Sequence, residues 1–183
     1  LGGVCLNWGC IPTKALLTNA HVLDLVKNSK KYGINIPSYT VDWKKVVKRS
    51  RDVSRRLSKG IEYLMKKNKI EYIPSSGVLK DSNTIQLDKK KTVTSKYIII
   101  ATGGHSKSIP NVEVDGNVVI TSKEAMVLDA IPKNLVIVGA GAIGVEFAHL
   151  YNAFGSKVTL LEGLPSIVPN EDEEISADLE RIF

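Results

Sequence analysis

Leu135-Val136-Ile137-Val138-Gly139-Ala140-Gly141-Ala142-Ile143-Gly144 is an apolar strand running straight into a Gly-x-Gly-x-x-Gly turn. On its own the glycine pattern says little. Here it opens a helix whose inner face is expected at Ile143, Phe147, Ala148, Tyr151 and Phe154. Gly155 stops that helix, and Lys157-Val158-Thr159-Leu160-Leu161 supplies the next strand, with Glu162 at its end, 23 residues past Gly139. Strand, glycine turn, helix, strand and terminal carboxylate together make a dinucleotide-binding Rossmann unit. The first glycine makes the turn, the second lets a pyrophosphate approach the backbone, and the third lets the helix pack closely. The residues Gly139, Ala140, Gly141, Ala142, Ile143 and Gly144 are therefore expected to cradle phosphates with N–H groups. A carboxylate at Glu162 suits both ribose hydroxyls and repels a 2′-phosphate, and no Arg follows in Gly163-Leu164-Pro165-Ser166. NAD is expected over NADP. The alternatives are a ligand-free turn and a solvent-facing Glu162.

At the other end of the chain, Gly2-Gly3-Val4-Cys5-Leu6-Asn7-Trp8-Gly9-Cys10-Ile11-Pro12-Thr13-Lys14 holds both cysteines. Four intervening residues allow a bridge if the backbone coils tightly, which Gly9 permits. A helix is expected from Ile11 or Pro12, and a thiol at its N-terminus would have its thiolate favoured. A bridge closing so short a loop restrains the unfolded chain little, which points to redox chemistry rather than stapling. A pair of buried free thiols is the alternative. A metal site lacks a nearby His or third Cys.

The run Cys5-Leu6-Asn7-Trp8-Gly9-Cys10-Ile11-Pro12-Thr13-Lys14-Ala15-Leu16-Leu17 resembles the redox-active motif of the pyridine-nucleotide disulfide oxidoreductases. Within that family it is most similar to the dihydrolipoamide dehydrogenase branch; the glutathione and mercury branches usually read Val-Asn and Val-Pro at the corresponding steps. Trp8 and Thr13 are minor variants of the motif. The resemblance covers essentially the whole chain and implies an α/β architecture of tandem Rossmann-like domains, one for FAD and one for NAD, both incomplete here. It implies that Cys5 exchanges with substrate thiols, that Cys10 faces the flavin, and that Lys14 lies by the flavin and pairs with Glu146. It places Ala101, Thr102, Gly103 and Gly104 near the flavin and Gly77 near the adenine end of FAD. Without the resemblance, Gly77 is an ordinary turn glycine, and Lys14 and Glu146 are surface helix charges.

The same resemblance implies electron flow from dihydrolipoamide on a lipoyl domain through a Cys5–Cys10 disulfide and FAD to NAD, in a homodimer serving a 2-oxo acid dehydrogenase complex. The rival expectations are an NADPH-dependent glutathione- or mercury-type reductase, and a non-catalytic nucleotide-binding piece. An FAD-binding glycine turn is expected about 35 to 40 residues before Cys5. A dimerisation domain bearing an acid/base His is expected beyond Phe183. The chain thus reads as an interior fragment, inactive alone. His21, His105 and His149 stand in the wrong contexts to replace that His.

Between the two motifs the sequence is read as a helix over 12–30, a second over 42–67 capped by Asp42, and a short strand over 69–73. A hairpin of 84–87 with 92–97 and a charged tip at 88–91 follows, then a buried strand over 97–101. The boundary falls in a loose stretch, dividing 1–112 from 113–183. The chain has 183 residues, 43% hydrophobic and 24% charged, as expected of a water-soluble globular protein. No apolar run suits a membrane. No signal or transit segment is visible, and without an initiator Met the expected compartment, bacterial cytoplasm or mitochondrial matrix, stays open. The net charge of +6 is concentrated between Lys44 and Lys69, where eleven Lys or Arg face only Asp52 and Glu62. A solvated amphipathic helix is expected there, with Val46, Val47, Val53, Leu57, Ile61, Leu64 and Met65 inward. A nucleic-acid patch is the alternative, lacking any interleaved aromatic pattern.

Overall fold

The computed structural model describes residues 1–88, 91–107 and 109–183. Two helices open the chain, α1 (Gly3–Trp8) and α2 (Cys10–Lys27), and α2 runs through a 3-10 turn at Ser29–Tyr32 toward α3 (Trp43–Lys67). Three antiparallel strands follow, β1 (Gly77–Leu79), β2 (Thr84–Leu87) and β3 (Thr92–Thr94), ordered β1-β2-β3. After a long irregular stretch come α4 (Ser122–Ala125), β4 (Asn134–Val138), α5 (Ala142–Ala153), β5 (Lys157–Leu161) and α6 (Glu173–Ile182). β4 and β5 are parallel, paired from Asn134↔Lys157 to Val138↔Leu161, with α5 as the crossover. This is the βαβ unit expected of the glycine turn, in an α/β fold.

Each long helix has a local reason to form. Asp42 caps α3 by accepting from Lys45 N at 3.0 Å. Thr13 secures the first turn of α2, its N and Oγ1 both donating to Gly9 O, at 3.1 and 2.8 Å. Gly155 ends α5 at φ 102°, and Ser156 N donates back to Tyr151 O at 2.9 Å.

α2, α3 and α5 meet in one core of Leu16, Ala20, Trp43, Met126, Phe147, Leu150 and Tyr151. Trp43 packs edge-on against Phe154, centroids 5.1 Å apart, and its Nε1 donates to Leu128 O at 2.8 Å. Tyr151 hydroxyl donates to Ala125 O, and burial pushes its pKa far above the ordinary phenol range. Ser50 and Ser54 are the buried residues of mid-α3, and their small side chains let it lie close to α2.

Several expectations are corrected. The first helix begins at Cys10 rather than Pro12 and ends at Lys27, and Cys5 lies within a separate short helix. The expected strands over 69–73 and 97–101 are absent, and the 97–101 segment is not buried: Tyr97 is 77% and Ile99 90% exposed. A strand exists through a paired neighbour, and among the described residues none is hydrogen-bonded to these segments. The hairpin forms with a shorter second strand; its tip residues 89–90 lie outside the described residues. On α3 the apolar face loses cover past Ser54, with Leu57 and Leu64 exposed. On α5, Ile143 is 61% exposed, while Val145 and Leu150 are buried. Beyond β5 lies a further helix, α6, capped by Asp172. The main core draws on both sides of residue 112.

Candidate functional site

Cys5 and Cys10 are both exposed thiols in this structure. Gly9 between α1 and α2 has no room for a side chain, because a Cβ there would stand 2.9 Å from Cys5 Cα and 3.2 Å from Val4 O. The absence of that Cβ lets α1 fold back toward the start of α2. The neighbouring Cys10 thiol pushes the Cys5 pKa up. Cys10 opens the eighteen-residue helix α2, where the first backbone N–H groups lack intrahelical partners.

One turn along α2, the Lys14 ammonium forms an ion pair with the Glu146 carboxylate of α5. The structure therefore brings these residues together across 132 positions. Glu146 lies one turn into the helix that the glycine turn starts.

In that turn Gly139 has φ 103°, the left-handed region. A Cβ on Gly144 would meet Gly139 O at 1.9 Å, so the helix rests directly on the turn's own carbonyl. A Cβ on Gly141 would meet nothing, leaving open space where a pyrophosphate needs to approach. The first intrahelical bond of α5 is Val145 N to Gly141 O, which leaves the N–H groups of Ala142, Ile143 and Gly144 as donors at the helix start. This cradle suits a dinucleotide pyrophosphate.

Glu162 takes a position that the sequence did not suggest. Its Oε2 accepts from Ala140 N at 2.7 Å, and its Oε1 from Gly163 N at 2.7 Å and Leu164 N at 2.9 Å. These bonds, Ala140 first, hold its carboxyl below the usual carboxylate range. Glu162 ties the end of β5 to the glycine turn.

The remaining flavin candidates are more scattered. Ala101, Thr102, Gly103 and Gly104 lie in an exposed irregular segment. Gly77 starts β1 opposite Leu87, and a Cβ there would press on Ile85 Cγ2 at 2.9 Å, so cross-strand crowding alone accounts for glycine. Among the described residues, no group of three or more His, Cys, Asp or Glu could hold a metal ion, and no helix is long and apolar enough to cross a membrane. Residues missed in the sequence are Trp8, with Arg51 and Lys123 over its ring. They lie 43 and 115 positions away (51 − 8 and 123 − 8), beyond any local pattern.

A thiol pair at a helix start and a glycine turn lie at the two ends of a sequence match that decides the family. The chain belongs to the pyridine nucleotide-disulphide oxidoreductases. That family matches residues 1–183. Dihydrolipoyl dehydrogenase of Chlorobaculum parvum is 44% identical over 187 residues, taking in all of this chain and 40% of its own length. The Bacillus subtilis enzyme of the same name is 39% identical, covering 96% of this chain and 40% of its own. The mitochondrial one of Schizosaccharomyces pombe is 38% identical, at 100% and 37%. Among solved structures, the HOCl-induced flavoprotein disulfide reductase RclA of Escherichia coli, a Cu(II) complex, superposes with a TM-score of 0.74 at 27% identity. It covers 99% of this chain and 38% of RclA. This oxidoreductase chain thus spans about two fifths of the length of the relatives it matches.

Proposed function

We propose that the protein carrying this chain is a dihydrolipoyl dehydrogenase, oxidising dihydrolipoamide on a lipoyl domain and delivering the electrons through FAD to NAD. The observation that carries this reading is the exposed Cys5–Cys10 pair one turn from a Lys14–Glu146 bridge to the nucleotide helix. Residues 1–112 serve the flavin and 113–183 the nicotinamide. Gly77, Ala101 to Gly104 and Lys14 would hold FAD; Gly139 to Gly144 and Glu162 would hold NAD. When bound, FAD and NAD supply acceptance and onward transfer of an electron pair, which side chains cannot do.

The chain's own contribution is thiol chemistry. A substrate thiolate attacks Cys5 Sγ of the Cys5–Cys10 disulfide, forming a mixed disulfide and expelling Cys10 as a thiolate. The second substrate thiolate attacks its own sulfur partner in that mixed disulfide, closing the lipoyl ring and releasing Cys5. Two electrons then rest on the cysteine pair. Lys14 places a positive charge where electron density arrives, and pairing with Glu146 offsets the cost of holding it there. Catalysis belongs to the whole protein, as a homodimer in a 2-oxo acid dehydrogenase complex, in the bacterial cytoplasm or mitochondrial matrix.

Cys10→Ser in the whole protein tests this. Lipoamide turnover and the long-wavelength thiolate–flavin absorbance should both vanish. Turnover near the wild-type rate would remove Cys10 from the reaction, and preferential reduction of glutathione disulfide by NADPH would replace the substrate assignment.

A further inference from the structure

Trp8 stands between the two cysteines, three residues past Cys5 and two before Cys10, and takes no part in the exchange chemistry above. Its indole nonetheless lies under two cations from remote parts of the chain. Arg51 of α3 has its Cζ 4.2 Å from the ring centroid, and Lys123 of α4 has its Nζ at 5.1 Å. Both are within the range where a cation is drawn to an indole face. Arg51 is half-buried, and its Nη1 is buried with no hydrogen-bond partner among the described residues. The ring face is therefore what compensates that side of the guanidinium. The preceding residue is also anchored to α3: Asn7 Oδ1 accepts from Ser58 Oγ at 3.2 Å, while Asn7 Nδ2 donates to Leu1 O and Gly3 O at 2.9 and 3.0 Å. Two consecutive residues between the cysteines thus grip elements outside the motif.

We propose that Trp8 is a positioning residue for the dithiol: Arg51 and Lys123 clamp its indole, which holds the α1 turn on α3 and keeps the Cys5 and Cys10 sulfurs within exchange distance. The proposal rests on the redox reading of that pair. Closure of a disulfide depends on the effective concentration of one thiol at the other, and that concentration falls when the connecting loop can move. The two cations act on the loop rather than on the sulfurs. The Cys5 thiol is raised by Cys10 beside it.

The whole protein, reduced and then equilibrated in glutathione buffers, tests the clamp. Cys5 thiolate attacks glutathione disulfide, releasing one glutathione thiolate; Cys10 thiolate then attacks Cys5 Sγ and releases the second. Glutathione disulfide gains the two electrons that the cysteine pair loses. Acid trapping, alkylation and mass spectrometry give the equilibrium constant for wild type, Trp8→Phe, Trp8→Leu, Arg51→Lys and Arg51→Met. Trp8→Leu and Arg51→Met should lower it about three- to tenfold. Trp8→Phe keeps a ring face and Arg51→Lys keeps a cation, so both should stay within about twofold of wild type. A merely structural role for the ring would not be rescued by a lysine at 51. Wild-type values for Trp8→Leu would overturn the proposal. So would a lowered constant in Trp8→Leu with none in Arg51→Met, since the ring would then act without its cations. Should Trp8→Leu fail to fold, Arg51→Met and Lys123→Met decide alone, and wild-type constants in both refute the clamp. A wild type that never closes the Cys5–Cys10 bridge overturns the redox reading and the clamp together.

Discussion

Glu162 carries three backbone N–H groups on two oxygens, which makes it part of the turn's architecture. Its folded carboxyl sits below its ordinary value of 4.5. The three bonds therefore support the fold fully above that value and fade as pH falls through the lower folded one. Glu162→Gln, which has a single acceptor and an amide facing N–H groups, should flatten the acid limb of a stability–pH profile below the ordinary carboxylate value. Urea unfolding across that range measures it, and an unchanged slope would remove Glu162 from the turn. Glu162→Ala should also reduce the preference for NAD over NADP about tenfold or more, because the repulsion toward a 2′-phosphate goes with the carboxylate. ADP-ribose affinity should fall too, since the alanine leaves Ala140 N–H without its partner. Gly144 tests the same turn from the other side. With a carbonyl oxygen 1.9 Å from the site of a Cβ, Gly144→Ala has to push backbone aside. It should cost about 1–3 kcal/mol or more and abolish nucleotide binding; chemical denaturation and calorimetry with ADP-ribose would show both.

At the scale of elements, the contrast between Ser50 and Ser54 on α3 is informative. Both are buried, yet Ser50 Oγ donates to Val47 O at 2.7 Å while Ser54 Oγ has no partner among the described residues. Ser54→Ala should be neutral or stabilising by up to about 1 kcal/mol, and Ser50→Ala destabilising by a similar amount. Equal losses in urea midpoints would place a bridging water at Ser54. The elements that were legible in the sequence are those whose cause is local. Asp42 announces α3, and the glycine turn with Gly155 brackets α5. The segments 69–73 and 97–101 were misread because an apolar run signals a wish for cover, not the presence of a neighbour. α6 was overlooked although Asp172, Glu173 and Glu174 supply a cap and an acidic first turn, with Arg181 in the last. Short α1 has no side-chain cap and begins behind Gly2, so nothing local marks it. The site divides in the same way. The cysteines and the glycine turn stand in contiguous motifs, whereas the grip of Glu162 on Ala140 and the clamp on Trp8 exist only after folding.

For the molecule as a whole, the shared core means that the two halves of the chain are not energetically separate. Leu16 and Trp43 pack with Met126, Phe147 and Tyr151. Leu16→Ala should cost about 2–5 kcal/mol. It should also lower the unfolding midpoint read from amide exchange in β4, α5 and β5 as much as that read from α2. A loss confined to the first half would show that the core is not shared.

Two contacts between α2 and α5 give that union a scale. Lys14 bonds Glu146 near the start of each helix, and Lys27 Nζ donates to Ala153 O at 2.7 Å near the end of each. The pair of helices works as a caliper: one jaw begins at the dithiol, the other at the phosphate turn, and two lysines lock the setting. Inserting a single residue between Lys14 and Lys27 would turn the far end of α2 by about 100° and advance it about 1.5 Å. Lys27 would swing off Ala153, and the separation between sulfur and nucleotide turn would lose its second reference mark. Substitutions along α2 can vary freely on its outer face, but its length is a measured dimension of the machine.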